Sequence, residues 1–207
     1  MPTYIKARTP VDGWRRIVRT IMESGMERVD ERGIPTRWVD NAMIHIVDPY
    51  SERVTSEYPF SETVLREKYA TQLLNPDRMG FDYTYGERLN AWGEEALDQL
   101  DYVVRKLHEN RHTRRAVATT WDPRRDTHND EVPCLNHFVF MEREGVLDLS
   151  VTIRSNDMYG AWPANVYALG ELLKNIAERT NIQPGSLTTL SVNAHIYKHD
   201  WDKASRI

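Results

Sequence analysis

Among the side chains of this sequence, Cys134 is the only cysteine, and it sits in Val132-Pro133-Cys134-Leu135-Asn136. Twenty residues later comes a dense polar run, Arg154-Ser155-Asn156-Asp157-Met158-Tyr159-Gly160-Ala161-Trp162-Pro163-Ala164-Asn165. A thiol attacks as its thiolate, and a thiolate at neutral pH needs a cation beside it. A guanidinium supplies that charge and also grips phosphate through its planar fork of donors. Together these residues suggest covalent catalysis on a small phosphorylated molecule. A free cysteine is otherwise most often a small buried hydrophobe, so its neighbours decide between the two readings.

Those neighbours depend on the elements that carry them. Leu147, Leu149, Val151 and Ile153 alternate with polar residues, which predicts a strand from Leu147 to Ile153. A second strand spans His137 to Met141, and Glu144-Gly145 supplies the hairpin turn between them. That register sets Arg154 beside the start of the Cys134 strand, where its charge favours the thiolate. Arg114-Arg115 lies where a long helix gives way to a strand, Ala116 to Trp121, a position that suits bidentate phosphate binding or an ordinary surface turn. Asn165 precedes a helix predicted from Val166 to Arg179 and is either its cap or a reader of a pyrimidine edge. An amide offers both a donor and an acceptor, which a carboxylate cannot.

The rest of the chain supplies a frame. Trp14, Ile17, Val18, Ile21 and Met22 recur at helical spacing, with Asp12 and Gly25 as caps. Arg37 to Val47 predicts a strand and Glu62 to Leu74 a helix. An aromatic loop, Phe81 to Gly86, leads into a helix through Leu97, Leu100, Val103, Val104 and Leu107. Pro184-Gly185 is expected to separate the Val166 helix from a last strand, Leu187 to Tyr197. Helices and strands come in unequal blocks, so the expected fold is α+β with a mixed sheet, in a single domain over 1–207. The chain has 207 residues, 40% hydrophobic and 28% charged, with net charge -4. That balance disfavours a polyanion-binding surface, so nucleic acid is not expected as a partner. No membrane segment or signal peptide is visible, and one cysteine allows no internal disulfide, which fits a reducing cytoplasm.

The second half resembles thymidylate synthase. The resemblance rests on Thr113-Arg114-Arg115, Val132-Pro133-Cys134, Arg154-Ser155-Asn156-Asp157 with Asn165 eleven residues after Arg154, and His195-Ile196-Tyr197, all in family order. Tyr83-Thr84-Tyr85-Gly86-Glu87-Arg88 is similar to the family's Tyr-Gly segment. The Gly-Ala-Trp-Pro-Ala-Asn form and the short chain look most like the compact archaeal branch. The resemblance implies methylation of dUMP to dTMP, with Cys134 adding to carbon 6 of the uracil. The co-substrate would be 5,10-methylenetetrahydrofolate or a methylene-tetrahydropterin analogue such as a methanopterin, with no metal. It further implies that Arg154 and Ser155 bind phosphate, that Arg154 lowers the thiol pKa, and that Asn165 reads the base. Asp157 would contribute to pterin binding, His195 and Tyr197 would hold the deoxyribose hydroxyl, and Tyr85 would help move the carbon-5 proton through water. Arg114 and Arg115 would reach the neighbouring subunit's phosphate site in a homodimer formed through the sheet.

Four expectations follow from weaker matches. Glu62 is chosen as the family's catalytic glutamate, with Glu67 as the alternative. Arg32 is chosen as the arginine of a mobile phosphate-gripping loop, with Arg37 second. Residues 63–84 contain no tryptophan to match the family's pterin-facing one. The sequence stops ten residues after Tyr197, without the tail that closes over folate in bacterial members. These departures keep two alternatives in view: a nucleotide hydroxymethylase on the same scaffold, in which water quenches the intermediate, and a non-catalytic nucleotide-binding relative.

Overall fold

The computed structural model describes residues 2–78, 80–81 and 83–207; Asp82, within the aromatic loop read from the sequence, lies outside the described residues. A seven-stranded mixed sheet is packed with helices, the α+β architecture expected. Its strands are β1 (Thr3–Ala7), β2 (Met26–Val29), β3 (Pro35–Ile46), β4 (Val117–Thr119), β5 (Leu135–Arg143), β6 (Val146–Asp157) and β7 (Gln183–Tyr197). They run in the order β1-β3-β7-β6-β5-β4, and β2 also pairs with β3. β7 is parallel to β6 and antiparallel to β3, while β5 is antiparallel to β6.

Helix α1 (Pro10–Ser24) buries Trp14, Ile17, Val18 and Ile21 as its spacing predicts. Its N-cap is Thr9, whose hydroxyl accepts from the Asp12 N–H, so Asp12 is in the first turn instead of capping it. The segment read as one helix from Glu62 to Leu74 has a π-helical centre: α2 (Glu62–Val64), the π segment Leu65–Ala70, then α3 (Thr71–Leu74). A short α4 (Tyr85–Asn90) follows, then α5 (Gln99–Glu109). The helix after the polar run, α6 (Ala161–Thr180), starts five residues before the expected Val166. Pro163 is no obstacle there, because the first turn of a helix does not need that N–H. A last short helix, α7 (Trp201–Ala204), follows β7. β7 itself spans Pro184 and Gly185: Gln183 and Pro184 already pair with β6, and the register shifts before pairing resumes at Leu187, so Pro184-Gly185 marks an irregularity within the strand instead of a separator.

β6, α6 and β7 form a crossover between parallel strands. α6 lies across one face of the sheet, burying Trp162, Val166, Leu169, Leu172, Leu173 and Ile176 against a strand face that includes Phe138, Phe140, Leu149, Val151 and Ile153. In such a crossover the carboxyl ends of the parallel strands and the start of the helix open a natural crevice. The opposite face of the sheet carries Tyr4 and Met43, both exposed and paired across β1 and β3.

One irregularity crosses three strands at the same level. Pairing brackets Asn41, Val192 and Arg154 without including them, and all three are exposed. Asn41 has a left-handed backbone (φ 50°), rare within a strand. Beyond this kink the burial alternation slips by one residue: Ile153 is buried, then Asn156 in place of Ser155. Bulge-like kinks of this kind re-aim side chains near functional sites.

Candidate active site

The carboxyl ends of β6 and β7, the start of β5 and the first turns of α6 converge on a cavity of about 710 Å³. Cys134, Arg154, Ser155, Asn156, Asp157, Asn165, His195, Tyr197, Arg32, Tyr83 and Tyr85 all line it.

Cys134 is held through its backbone. Its N–H donates to the Tyr85 hydroxyl at 3.1 Å, the Leu135 N–H does so at 3.4 Å, and its carbonyl accepts from the Arg154 N–H at 2.9 Å. The Arg154 guanidinium donates to the carbonyls of Pro133 (3.0 Å) and Val132 (2.9 Å), so this arginine braces the turn that presents the thiol. Burial pushes the Cys134 thiol up from its ordinary pKa; Arg154 and Arg32 oppose that shift, and Glu131 adds to it. Tyr85 is driven up still more strongly by burial and stays a neutral phenol. Tyr83 packs edge-on against it, with burial raising its phenol to about 12.

Tyr85 owes its place to the start of α4. A Cβ on Gly86 would fall 2.0 Å from the Asn75 carbonyl oxygen, so only glycine permits that approach. Behind it, Arg88 is almost wholly buried and donates to Asp126 at 2.7 Å. Its charge also lies under the rings of Tyr83 and Trp92, 5.5 Å from each centroid. The Arg88–Asp126 pair ties α4 to the loop that runs from β4 to Cys134.

On the opposite wall, Asn165 Nδ2 donates to Asn156 Oδ1 (3.3 Å) and Asn156 Nδ2 donates to the Ser191 hydroxyl (3.1 Å). One turn before Asn165, Trp162 Nε1 donates to the Thr189 hydroxyl (3.1 Å). Asn165 is thus inside α6 and is not its cap. Asp157 accepts from the Tyr159 and Gly160 N–H groups, and burial raises its pKa. His195 contacts Asn193 Oδ1 through Nδ1 (2.8 Å), and burial lowers its pKa to about 4, leaving a neutral imidazole at pH 7.

The tip of the β2–β3 hairpin completes the rim. Asp30 Oδ1 accepts from the N–H groups of Arg32 and Ile34, and Gly33 takes the left-handed turn position (φ 79°). Arg32 then reaches the Tyr197 hydroxyl at 2.5 Å.

The thymidylate synthase family model matches residues 40–207. A protein of Methanococcoides burtonii is 44% identical over 98% of this chain and 93% of its own length. One from Methanothermobacter thermautotrophicus is 38% identical over 100% of this chain and 99% of its own length. Both carry the name "Putative thymidylate synthase". The chain belongs to the thymidylate synthase family.

The family resemblance brought most of its residues to one place and missed others. Arg32 lies in the cavity wall, whereas Arg37 pairs with Glu27 at 2.6 Å and stacks over Trp201. Glu62 does not line the cavity: Ser61 to Val64 are all exposed, and packing begins only at Leu65, the first residue of the π segment. Glu67 is exposed as well, beside Arg66. The carboxylates that do line the cavity are Glu31, Asp130, Glu131 and Asp157. Arg114 and Arg115 are exposed just before β4, outside the cavity wall of their own chain, and make no ion pair among the described residues. Arg154 acts on the Cys134 thiol in the expected, lowering direction, while desolvation is the larger effect and the net shift is upward. Asn156, Tyr83, Asp130 and Glu131 went unassigned. Asn156 was hidden because strict strand alternation predicts Ser155, not its neighbour, on the buried side.

Proposed function

We propose that this chain catalyses the reductive methylation of dUMP to dTMP, with 5,10-methylenetetrahydrofolate or a methylene-tetrahydropterin analogue as co-substrate. The observation that carries this reading is the pairing, across one cavity, of the backbone-anchored Cys134 with the oriented amide of Asn165.

In this reading the Cys134 thiolate bonds to carbon 6 of the uracil, and the displaced electron pair spreads over carbon 5 and the carbon-4 oxygen. Asn165 receives that charge. Its second Nδ2 hydrogen donates to the carbon-4 oxygen, and its Oδ1 accepts from the N3–H, a pattern that uracil matches and cytosine does not. The co-substrate supplies the one-carbon unit and the hydride. Asp157 suits the paired N–H donors of an aminopyrimidinone edge, which is the fit this wall offers a pterin. Tyr85 accepts from two N–H groups and packs beside Tyr83; as a phenol of raised pKa it orients the water that takes the carbon-5 proton. After loss of the carbon-5 proton the one-carbon unit is an exocyclic methylene on the ring; hydride adds to that methylene carbon, its double-bond pair re-forms the C5–C6 double bond, and the C6–S bond breaks to release the thiolate. His195 and Tyr197 hold the deoxyribose hydroxyl, and Arg32, Arg154 and Ser155 hold the phosphate.

The wall built by this chain sets four carboxylates, Glu31, Asp130, Glu131 and Asp157, against two guanidiniums, Arg32 and Arg154. A dianionic phosphate needs more positive charge than that. Arg114 and Arg115 of a second copy supply it in a homodimer formed through the open sheet face. The whole chain, 1–207, acts as one domain in the cytoplasm and uses no metal; no described helix is long and apolar enough to cross a membrane.

The test follows tritium release from dUMP labelled at carbon 5, with each pterin donor, alongside product mass. Release with a product heavier by a methylene group supports the synthase. A product heavier by a hydroxymethyl increment selects the hydroxylating alternative, and no release with either donor overturns a catalytic reading.

A further inference from the structure

We infer that Asn156, with Ser191 behind it, determines base specificity by fixing which end of the Asn165 amide faces the substrate. The inference rests on the functional reading above.

A primary amide has a donor end and an acceptor end of nearly the same shape. Rotating it by half a turn would exchange a uracil-reading edge for a cytosine-reading one at little steric cost. Something other than shape must therefore hold the Asn165 amide in one sense. In this structure its Nδ2 is engaged by Asn156 Oδ1, which leaves Oδ1 to accept from a ligand in the cavity that Asn165 lines. Asn156 is in turn held by its own Nδ2 on the Ser191 hydroxyl. Both supports are buried, Asn156 at 2% exposure and Ser191 at 0%, so water does not replace either bond if it is lost.

The backbone fixes the relay as firmly as the side chains do. Asn156 faces inward because of the kink at Arg154, and Ser191 stands on the neighbouring strand just before the same kink. Asn165 is carried by the second turn of α6, which Trp162 pins to Thr189 on that strand. A polar chain thus runs from β7 through β6 to α6 and ends on the base-reading atom. Asn156 touches no reacting atom in this account and is a positioning residue.

The experiment measures dissociation constants of dUMP and dCMP by calorimetry for the full chain and for three variants: Asn156→Leu, Ser191→Ala and Asn156→Asp. Asn156→Leu keeps the volume and removes the acceptor, and the preference for dUMP over dCMP should fall by about tenfold or more. Ser191→Ala leaves the Asn156 amide untethered and should produce a smaller fall in the same direction. Asn156→Asp retains an acceptor toward Asn165 and should keep the preference within about threefold of the wild type. The dissociation constant of inorganic phosphate, which does not involve the base, should be unchanged in Ser191→Ala. A preference for dUMP that persists unaltered in folded Asn156→Leu or in Ser191→Ala overturns the inference while leaving the functional reading intact. A wild-type chain that binds neither nucleotide overturns both.

Discussion

The floor of the cavity and its rim are built on different principles. The floor and its backing are joined by buried polar contacts: Asn165 to Asn156 to Ser191, Trp162 to Thr189, and, behind Tyr85, Arg88 to Asp126. The rim is made of a hairpin tip held by Asp30, the Asp130–Val132 stretch braced through Arg154, and exposed arginines. Satisfied buried networks rigidify and specify one arrangement, whereas exposed ion pairs contribute little to stability. On the proposed function, the base-reading wall is pre-organised before any ligand arrives, while the phosphate-binding groups of the rim remain free to adjust.

The sharpest probe lies where the two regions meet. Cys134→Ser should abolish turnover, leave dUMP affinity near wild type and leave the unfolding midpoint almost unchanged. A large drop in midpoint would show that the thiol belongs to the core and would erase the boundary. Next comes Arg88→Met, which strands Asp126 in the backing of the floor. Removing one partner of a buried pair costs roughly 3–5 kcal/mol, so urea unfolding should show a loss of that order; a change below about 1 kcal/mol would place this pair with the rim.

His195 gives a slightly smaller effect through pH. Its folded pKa is lowered to about 4, below the ordinary unfolded value of about 6.5. The unfolded chain therefore binds a proton across that window while the folded one does not. The stabilisation from its neutral form is complete above about pH 6.5 and is lost as pH falls toward 4, by about 3 kcal/mol. Comparing unfolding free energies at several pH values with those of His195→Gln checks this, since the variant should show a flatter profile. Smallest in stability is Arg32→Ala at the rim. Its ion pair with Asp30 is exposed, so stability should change by less than about 1 kcal/mol, while the KM for dUMP rises about tenfold. Equal losses in stability from Arg32→Ala and Arg88→Met would collapse the distinction.

Legibility in the sequence follows the same division. Periodicity exposes long amphipathic helices, and α1 and α5 were readable from their apolar spacing, except that Leu97 falls before α5 and is exposed; the Glu144-Gly145 turn was readable from its composition. β2 was not readable because all four of its residues are exposed and give no alternation. β1 is a five-residue edge strand, too short for a period to stand out. The motif residues of the cavity were legible through type and order. Their supports were not, because Asn156 depends on a backbone kink and Arg88 on a partner 38 residues away. That Glu62 falls outside the cavity wall was not legible, because a sequence cannot say where along a helical stretch packing begins.

That kink also changes what counts as being near the site. Asn41 touches no portion of the cavity wall, yet its left-handed backbone stands level with Val192 and Arg154, where all three strands turn together. At that level the pairing skips one residue on each of β3, β7 and β6, and beyond it residue 156 of β6, not residue 155, is the buried one. A glycine at position 41 would tolerate the same bend, whereas a β-branched residue would press the strand toward regular pleating. The Asn156 relay therefore stands beside an irregularity shared by three strands, to which position 41 brings a backbone angle and no side chain in the cavity wall.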